Sequence, residues 1–157
     1  MRRMQRWTLA ADHLRSAGLV VTRPRILLFD LLFGKGDRLV TPEELYQEAC
    51  DAGMVVARAT VYNTLHALAE HGLLRTIVID AERIYFDTDT RHVCRLYHED
   101  SRHLYRLPDD TPGLHDLIRH LGDISPLNLE ILIRIRASRD GMAVSKDQTW
   151  PKASSSH

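Results

Sequence analysis

Ala59-Thr60-Val61-Tyr62-Asn63-Thr64-Leu65 is the stretch whose reading decides the fold. Val61, Leu65 and Leu68 recur at i, i+4 and i+7, the spacing of one buried helix face. The same wheel turns Ala59 and Asn63 away from that face, with Thr60 and Tyr62 flanking them near the amino-terminal end. The helix therefore carries a polar tip that its own core does not need. The pattern predicts a helix from about Arg58 to His71, stopped by Gly72 as a left-handed cap.

Just upstream, Thr41 is placed to cap another helix, with Pro42 at its first position and Glu44 three residues after the cap. Thr and Glu at this spacing form a capping box, and Pro at that position loses no hydrogen bond. Leu45 and Ala49 share a face, Gly53 ends the helix, and Met54 to Arg58 make a short connection. Downstream, Leu73 to Asp80 and Arg83 to Asp87 are rich in β-formers, with a turn at Asp80-Ala81-Glu82. A helix, a tight connection, a second helix with a polar tip and then a hairpin outline a winged helix-turn-helix. Such a module enters the DNA major groove by the amino-terminal end of its second helix. Arg58, Thr60, Tyr62, Asn63 and Thr64 are the candidate contacts there. Asn pairs with adenine, a Thr methyl touches thymine, and Tyr reaches a phosphate or a base. An amphipathic helix with a merely solvated face would show the same apolar spacing; the hairpin behind it favours the DNA reading.

Two more helices precede this pair. Thr22-Arg23-Pro24-Arg25 repeats the cap with an early Pro, and Ile26 to Phe33 are almost wholly apolar, as a helix in the middle of a three-helix core requires. Gly34-Lys35-Gly36-Asp37 ends it, and an earlier helix is expected from about Thr8 to Ala17. The formal net charge is zero, which argues against a broad nonspecific nucleic-acid binder. From Met1 to Arg38, however, eight Lys and Arg stand against three Asp, a net of +5. Arg15, Arg23 and Arg25 in that segment are candidate phosphate contacts.

Residues 1–90 are thus expected to form the winged-helix, DNA-binding domain. A second domain, residues 91–137, is expected to have a strand at His103 to Leu107, a short helix at Gly113 to Leu121, and, from the period-two pattern of Leu127 to Ile135, one long strand. Some 45 residues make a poor core alone, and pairing with a second copy would cover the apolar face. The fold class is α+β: a winged helix-turn-helix followed by a small α/β dimerisation domain. Residues 138–157 read as a flexible tail. No apolar run is long enough to span a membrane, the start lacks a signal peptide's apolar core, and Cys50 and Cys94 fit a reducing cytoplasm better than a disulfide scaffold.

Several runs resemble the ferric uptake regulator superfamily: Leu14 to Leu19, Thr22 to Arg25, Thr41 to Tyr46, and most strongly Ala59 to Leu65. Within it the chain is most similar to the iron response regulator branch of alphaproteobacteria, through Leu32 to Arg38, Ala59 to His66, Gly72 to Arg75 and Tyr85 to Thr88. The similarity covers roughly residues 9–137. It implies a homodimer bound to a double-stranded DNA operator, with a sensor for iron, zinc, manganese, peroxide or haem.

The sensor half departs from what that resemblance implies. The two Cys-x-x-Cys pairs that many relatives use for structural zinc are absent. At the places of the regulatory ligands stand Leu39, Asp87, then Val93-Cys94-Arg95, then Arg106, so Asp87 alone is kept, with Cys94 as a replacement donor. His92, Cys94, His98 and His103 offer a substitute cluster for a metal ion (zinc, iron or manganese) or haem; His92, Cys94 and His98 share strand parity, yet His-x-Cys is not a compact tetrahedral motif. No cofactor is demanded by the pattern.

The expected function is a sequence-specific transcription regulator, a repressor of iron or metal homeostasis genes, with a degraded metal site and DNA binding that needs no metal. The alternatives are a winged-helix protein-interaction module and a thiol- or haem-responsive regulator. An enzyme using Cys94 with His92 or His98 is disfavoured, because no orienting carboxylate or oxyanion motif accompanies them.

Overall fold

The computed structural model describes residues 2–91, 94–122 and 129–136. The chain divides into two compact units, 1–90 and 91–157.

The first unit begins with helices α1 (Arg2–Ser16) and α2 (Arg23–Phe33), a short strand β1 (Leu39–Val40), and helices α3 (Pro42–Asp51) and α4 (Arg58–Glu70). Strands β2 (Arg75–Asp80) and β3 (Arg83–Asp87) follow. Helix α1 starts six residues before the expected Thr8, because Arg, Met and Gln there are good helix formers with no Gly or Pro among them. Helix α2 opens on Thr22, whose hydroxyl accepts from the Arg25 amide, and α3 opens on the full reciprocal box between Thr41 and Glu44.

Helix α3 ends in a Schellman turn. Gly53, at φ +75°, donates to the Cys50 carbonyl, and Met54 donates to that of Ala49. Helix α4 ends likewise, with Gly72 bonded to Ala69 and Leu73 to Leu68. This closure uses Leu73, so β2 begins at Arg75 and not at Leu73 as the pattern suggested. The three strands pair antiparallel in the order β1-β3-β2. Leu28, Leu32, Val40, Leu45, Val61, Leu65, Leu68 and Phe86 are fully buried in one cluster shared by the helices and the wing. Each full burial of a Leu, Val or Phe stabilises by roughly 1.5–3 kcal/mol.

The second unit holds strands β4 (Cys94–His98) and β5 (His103–Arg106), helix α5 (Leu114–His120) and strand β6 (Ile131–Ile135). The sheet order is β5-β4-β6, antiparallel between β4 and β5 and parallel between β4 and β6. The expected long strand is shorter: Leu129 and Glu130 lie outside β6, and Leu127 and Asn128 fall outside the described residues. A ladder is no longer than its partner, and β4 offers five residues, Cys94 to His98, to Ile131 to Ile135. Strand β4 has no alternation to reveal it, since Cys94, Arg95, Leu96 and Tyr97 are all buried; central strands covered on both faces lose that signal. The tail at 138–157 lies outside the described residues.

Candidate nucleic-acid interface

Helix α4 presents its tip as its spacing requires. Val61 and Leu65 are buried, whereas Arg58, Ala59 and Asn63 are exposed and Tyr62 is 44% exposed. Thr60 is half-buried at the edge of the tip. Thr64 is a correction: at 3% exposure it lies on the core side, three residues after Val61 and so on the same face, and it leaves the set of contacts.

The tip is braced from two sides. The Arg58 guanidinium lies over the Tyr46 ring of α3, 4.3 Å from its centroid. The Tyr62 ring is 4.4 Å from that of His66, one turn on, and His66 meets Phe86 of β3 edge-on at 5.2 Å. An aromatic chain therefore runs from the exposed tip to the wing. The buried Nε2 of His66 has no hydrogen-bond partner among the described residues. Glu43, Tyr46, Arg58, Ala59, Tyr62 and Asn63 line one cleft of about 270 Å³. Neither Tyr46 nor His66 stood out in the sequence; their spacing, one turn from Glu43 and one turn from Tyr62, is the signal that would have found them.

The other candidate cations are scattered. Arg15 pairs with Asp12 at 2.8 Å on the open surface of α1, a bond of little net worth that a phosphate would readily replace. Arg25 donates to the Val20 carbonyl at 2.8 Å and so ties α2 to the preceding loop. Arg23 is exposed and lines a separate cavity with Trp7, Asp30, Met54 and Val55. None of the three lines the Arg58 cleft. Elsewhere, Glu48 of α3 holds both Arg38 and Lys35, the latter at 3.0 Å. The Arg38 hydrogen bond, more than the opposing burial, keeps the Glu48 carboxyl below its usual pKa.

Within each unit, the described candidate metal ligands do not gather into a site. Asp87 is fully buried on β3, with Leu39 opposite it on β1 and Arg75 opposite it on β2, and one of its oxygens accepts from the Asp89 amide. In the other unit, Cys94 sits among Leu107, Leu114, Ile118 and Ile131. Burial pushes its thiol pKa up, against the pull of Arg95, which favours the protonated form that neither ligates nor attacks. Cys94 and His98 do share a strand face, but four residues of β-strand separate them by about 13 Å, too far for one ion. His98 and His103 face each other across the hairpin; the Nδ1 atoms engage the Ser101 hydroxyl at 3.0 Å and its carbonyl at 2.7 Å, respectively. His92 lies outside the described residues. Arg95 is fully buried, opposite Arg106, with its guanidinium 3.8 Å from Glu130. Among the described residues no three His, Cys, Asp or Glu side chains come together as a metal site.

Packed helices, an exposed tip on the last of them and a three-stranded wing behind it define the winged-helix class. The model of the ferric uptake regulator family matches residues 16–109, and the chain belongs to that family, whose members are transcription regulators and not enzymes. The ferric uptake regulation protein of Vibrio anguillarum is 30% identical over 79 residues, 50% of this chain and 53% of that protein. That of Escherichia coli K12 is 29% identical over the same length. The chain thus spans about half the length of the curated relatives it matches. In fold it is similar to the ferric uptake regulator of Pseudomonas aeruginosa, solved with manganese, at a TM-score of 0.66 and 24% identity, covering 82% of this chain and 97% of that one. The Vibrio cholerae regulator gives 0.65 and 23%, covering 80% and 98%. No helix among the described residues is long and apolar enough to cross a membrane.

Proposed function

We propose that this protein is a homodimeric, sequence-specific repressor that binds a double-stranded DNA operator in iron or metal homeostasis, and that it does so without a bound metal. The observation that carries the reading is the exposed tip of α4, where Arg58, Tyr62 and Asn63 stand clear of a core that has no use for them. In this reading Thr60, Tyr62 and Asn63 meet base edges, while Arg58, Arg15 and Arg23 meet phosphates. Arg25 contributes by holding the loop before α2. The first unit serves as the DNA-binding domain and the second as the dimerisation domain. Strand β6 supports the second role: among the described residues it is an edge strand, with Ile133 40% exposed, a surface that a second copy would cover. The finer placement, in the iron response regulator branch, rests on the runs Leu32 to Arg38 and Tyr85 to Thr88.

The metal that some relatives carry does not fit the donors present. Asp87 has an aliphatic and a cationic neighbour, Cys94 is held in hydrocarbon, and Arg95 and Arg106 bring two positive charges to adjacent strands. A tight site needs about four donors on one ion.

Selection from a random duplex pool in EDTA tests the whole reading. Enrichment of an inverted repeat is expected, with affinity unchanged when iron, manganese, zinc or haem is added. A pool that never enriches removes the DNA reading. A gain of about tenfold, or 1.4 kcal/mol, on restoring one metal or haem would mean that a switch site exists.

A further inference from the structure

Arg58 is a long, exposed side chain at the first position of α4. An unbraced arginine there would sample many rotamers and lose that freedom on contact with a ligand. The ring of Tyr46, and no carboxylate among the described residues, holds its guanidinium. The Tyr46 ring packs, partly buried, against the core of the first unit, which holds it in place. Interaction with Cys50, one turn further along α3, raises the phenol pKa, with the Arg58 cation pulling the other way, so the ring stays neutral. Glu43 lines the same cleft, so an Arg58 that left the ring would have a carboxylate nearby as an alternative partner.

We infer that Tyr46 is a positioning residue for DNA binding: by stacking, it holds the Arg58 guanidinium at the mouth of the α4 cleft, pre-set for a backbone phosphate. This rests on the DNA reading above. A guanidinium that rests one face on a ring can still donate from its edge N–H groups, so stacking and phosphate bonding are compatible. Lysine, a compact ammonium on a flexible stem, would keep the charge and lose the stack.

The test uses the full chain and the operator recovered from the duplex selection, over a range of salt. Arg58→Ala should weaken binding and flatten the log-log salt slope by about 0.9, one phosphate. Tyr46→Leu should weaken binding roughly two- to fivefold, the worth of an exposed cation–π stack, and Tyr46→Phe should restore it. In the Arg58→Ala background, Tyr46→Leu should have no further effect, because the two act as one unit. Arg58→Lys leaves the core untouched and should reproduce the Tyr46→Leu loss, which keeps the test decisive if Tyr46→Leu folds poorly. Additive losses, or Arg58→Lys binding as tightly as wild type, would overturn the inference while leaving the DNA reading intact. Wild-type protein that selects no duplex at all would overturn both.

Discussion

The α4 tip and the β4 strand carry chemically rich residues in opposite settings. At the tip, Arg58, Tyr62 and Asn63 face solvent while the helix beneath them is anchored by Val61, Leu65 and Leu68. In β4, Cys94 and Arg95 are buried inside a five-residue strand paired on both edges. Polar and charged side chains thus form an exposed helix tip in one place and a sheet interior in the other. What separates them is which groups retain free donors and acceptors, not which groups are present. The tip keeps its hydrogen-bonding edges available; the strand surrounds its thiol with hydrocarbon.

The largest effect should come from severing the second unit's proposed role. Ile133 is exposed on edge strand β6, so Ile133→Asp should leave the fold intact while opposing a second copy. Sedimentation should then show monomers, and operator affinity should fall roughly a hundredfold or more as bivalent binding is lost. A well-folded Ile133→Asp dimer would mean that β6 is not the covered face. Ile131 is unsuitable for this purpose, because it packs with Cys94 and Leu114.

The contrast between the regions also explains what could be read in advance. Local signals were enough for the first unit. Thr41 with Glu44, Thr22 with Pro24, and Gly72 each act within a few residues, and those helix boundaries follow from them. The buried face of α4 follows from spacing alone, although Thr64 shows that a hydroxyl in the middle of a motif still obeys the helical wheel. The second unit depends on pairing between distant residues. Nothing near Cys94 announces its parallel partner, Ile131, thirty-seven residues later, so the sequence offers strand parity at Cys94 and His98 without bounds or partner, and the pattern at Leu129 and Glu130 overstates the length of β6. Within the candidate ligand cluster, parity places Cys94 and His98 on one face, but the rise of the strand keeps those two apart. Spacing puts His66 one turn from Tyr62 on the same helix, but only the packing of α3 against α4 shows that Tyr46 braces Arg58.

At the tip, Asn63→Ala should cost about 1–3 kcal/mol against the cognate base pair and little against its substitutes, if the amide makes a bidentate contact. Competition among duplexes that vary at one position would measure this. Uniform weakening across all of them would turn Asn63 into a backbone contact and narrow the distance between recognition and support.

The smallest effect concerns the scaffold. Glu48 has a lowered pKa through Arg38 and Lys35, so its contribution to stability is present above the ordinary carboxylate range and is lost as pH falls through the folded-state pKa. Glu48→Gln should therefore be destabilised by about 1 kcal/mol at neutral pH, with the difference from wild type closing in acid. Paired denaturant titrations at the two pH values would read it. A deficit that persists in acid would assign the role of Glu48 to packing instead of charge.

Helix α4 begins on Ala57, which offers no side-chain oxygen to the amides that follow it, although α2 and α3 both begin on a threonine that does. A designer seeking heat tolerance would write Ser or Asp at this position first, for a gain of about 1 kcal/mol. The new oxygen would occupy donors at the very end of the helix proposed to meet the operator, and Asp would add a negative charge beside it. Durability and affinity therefore compete at a single methyl group, and a thermally improved version of this protein is best sought everywhere except there.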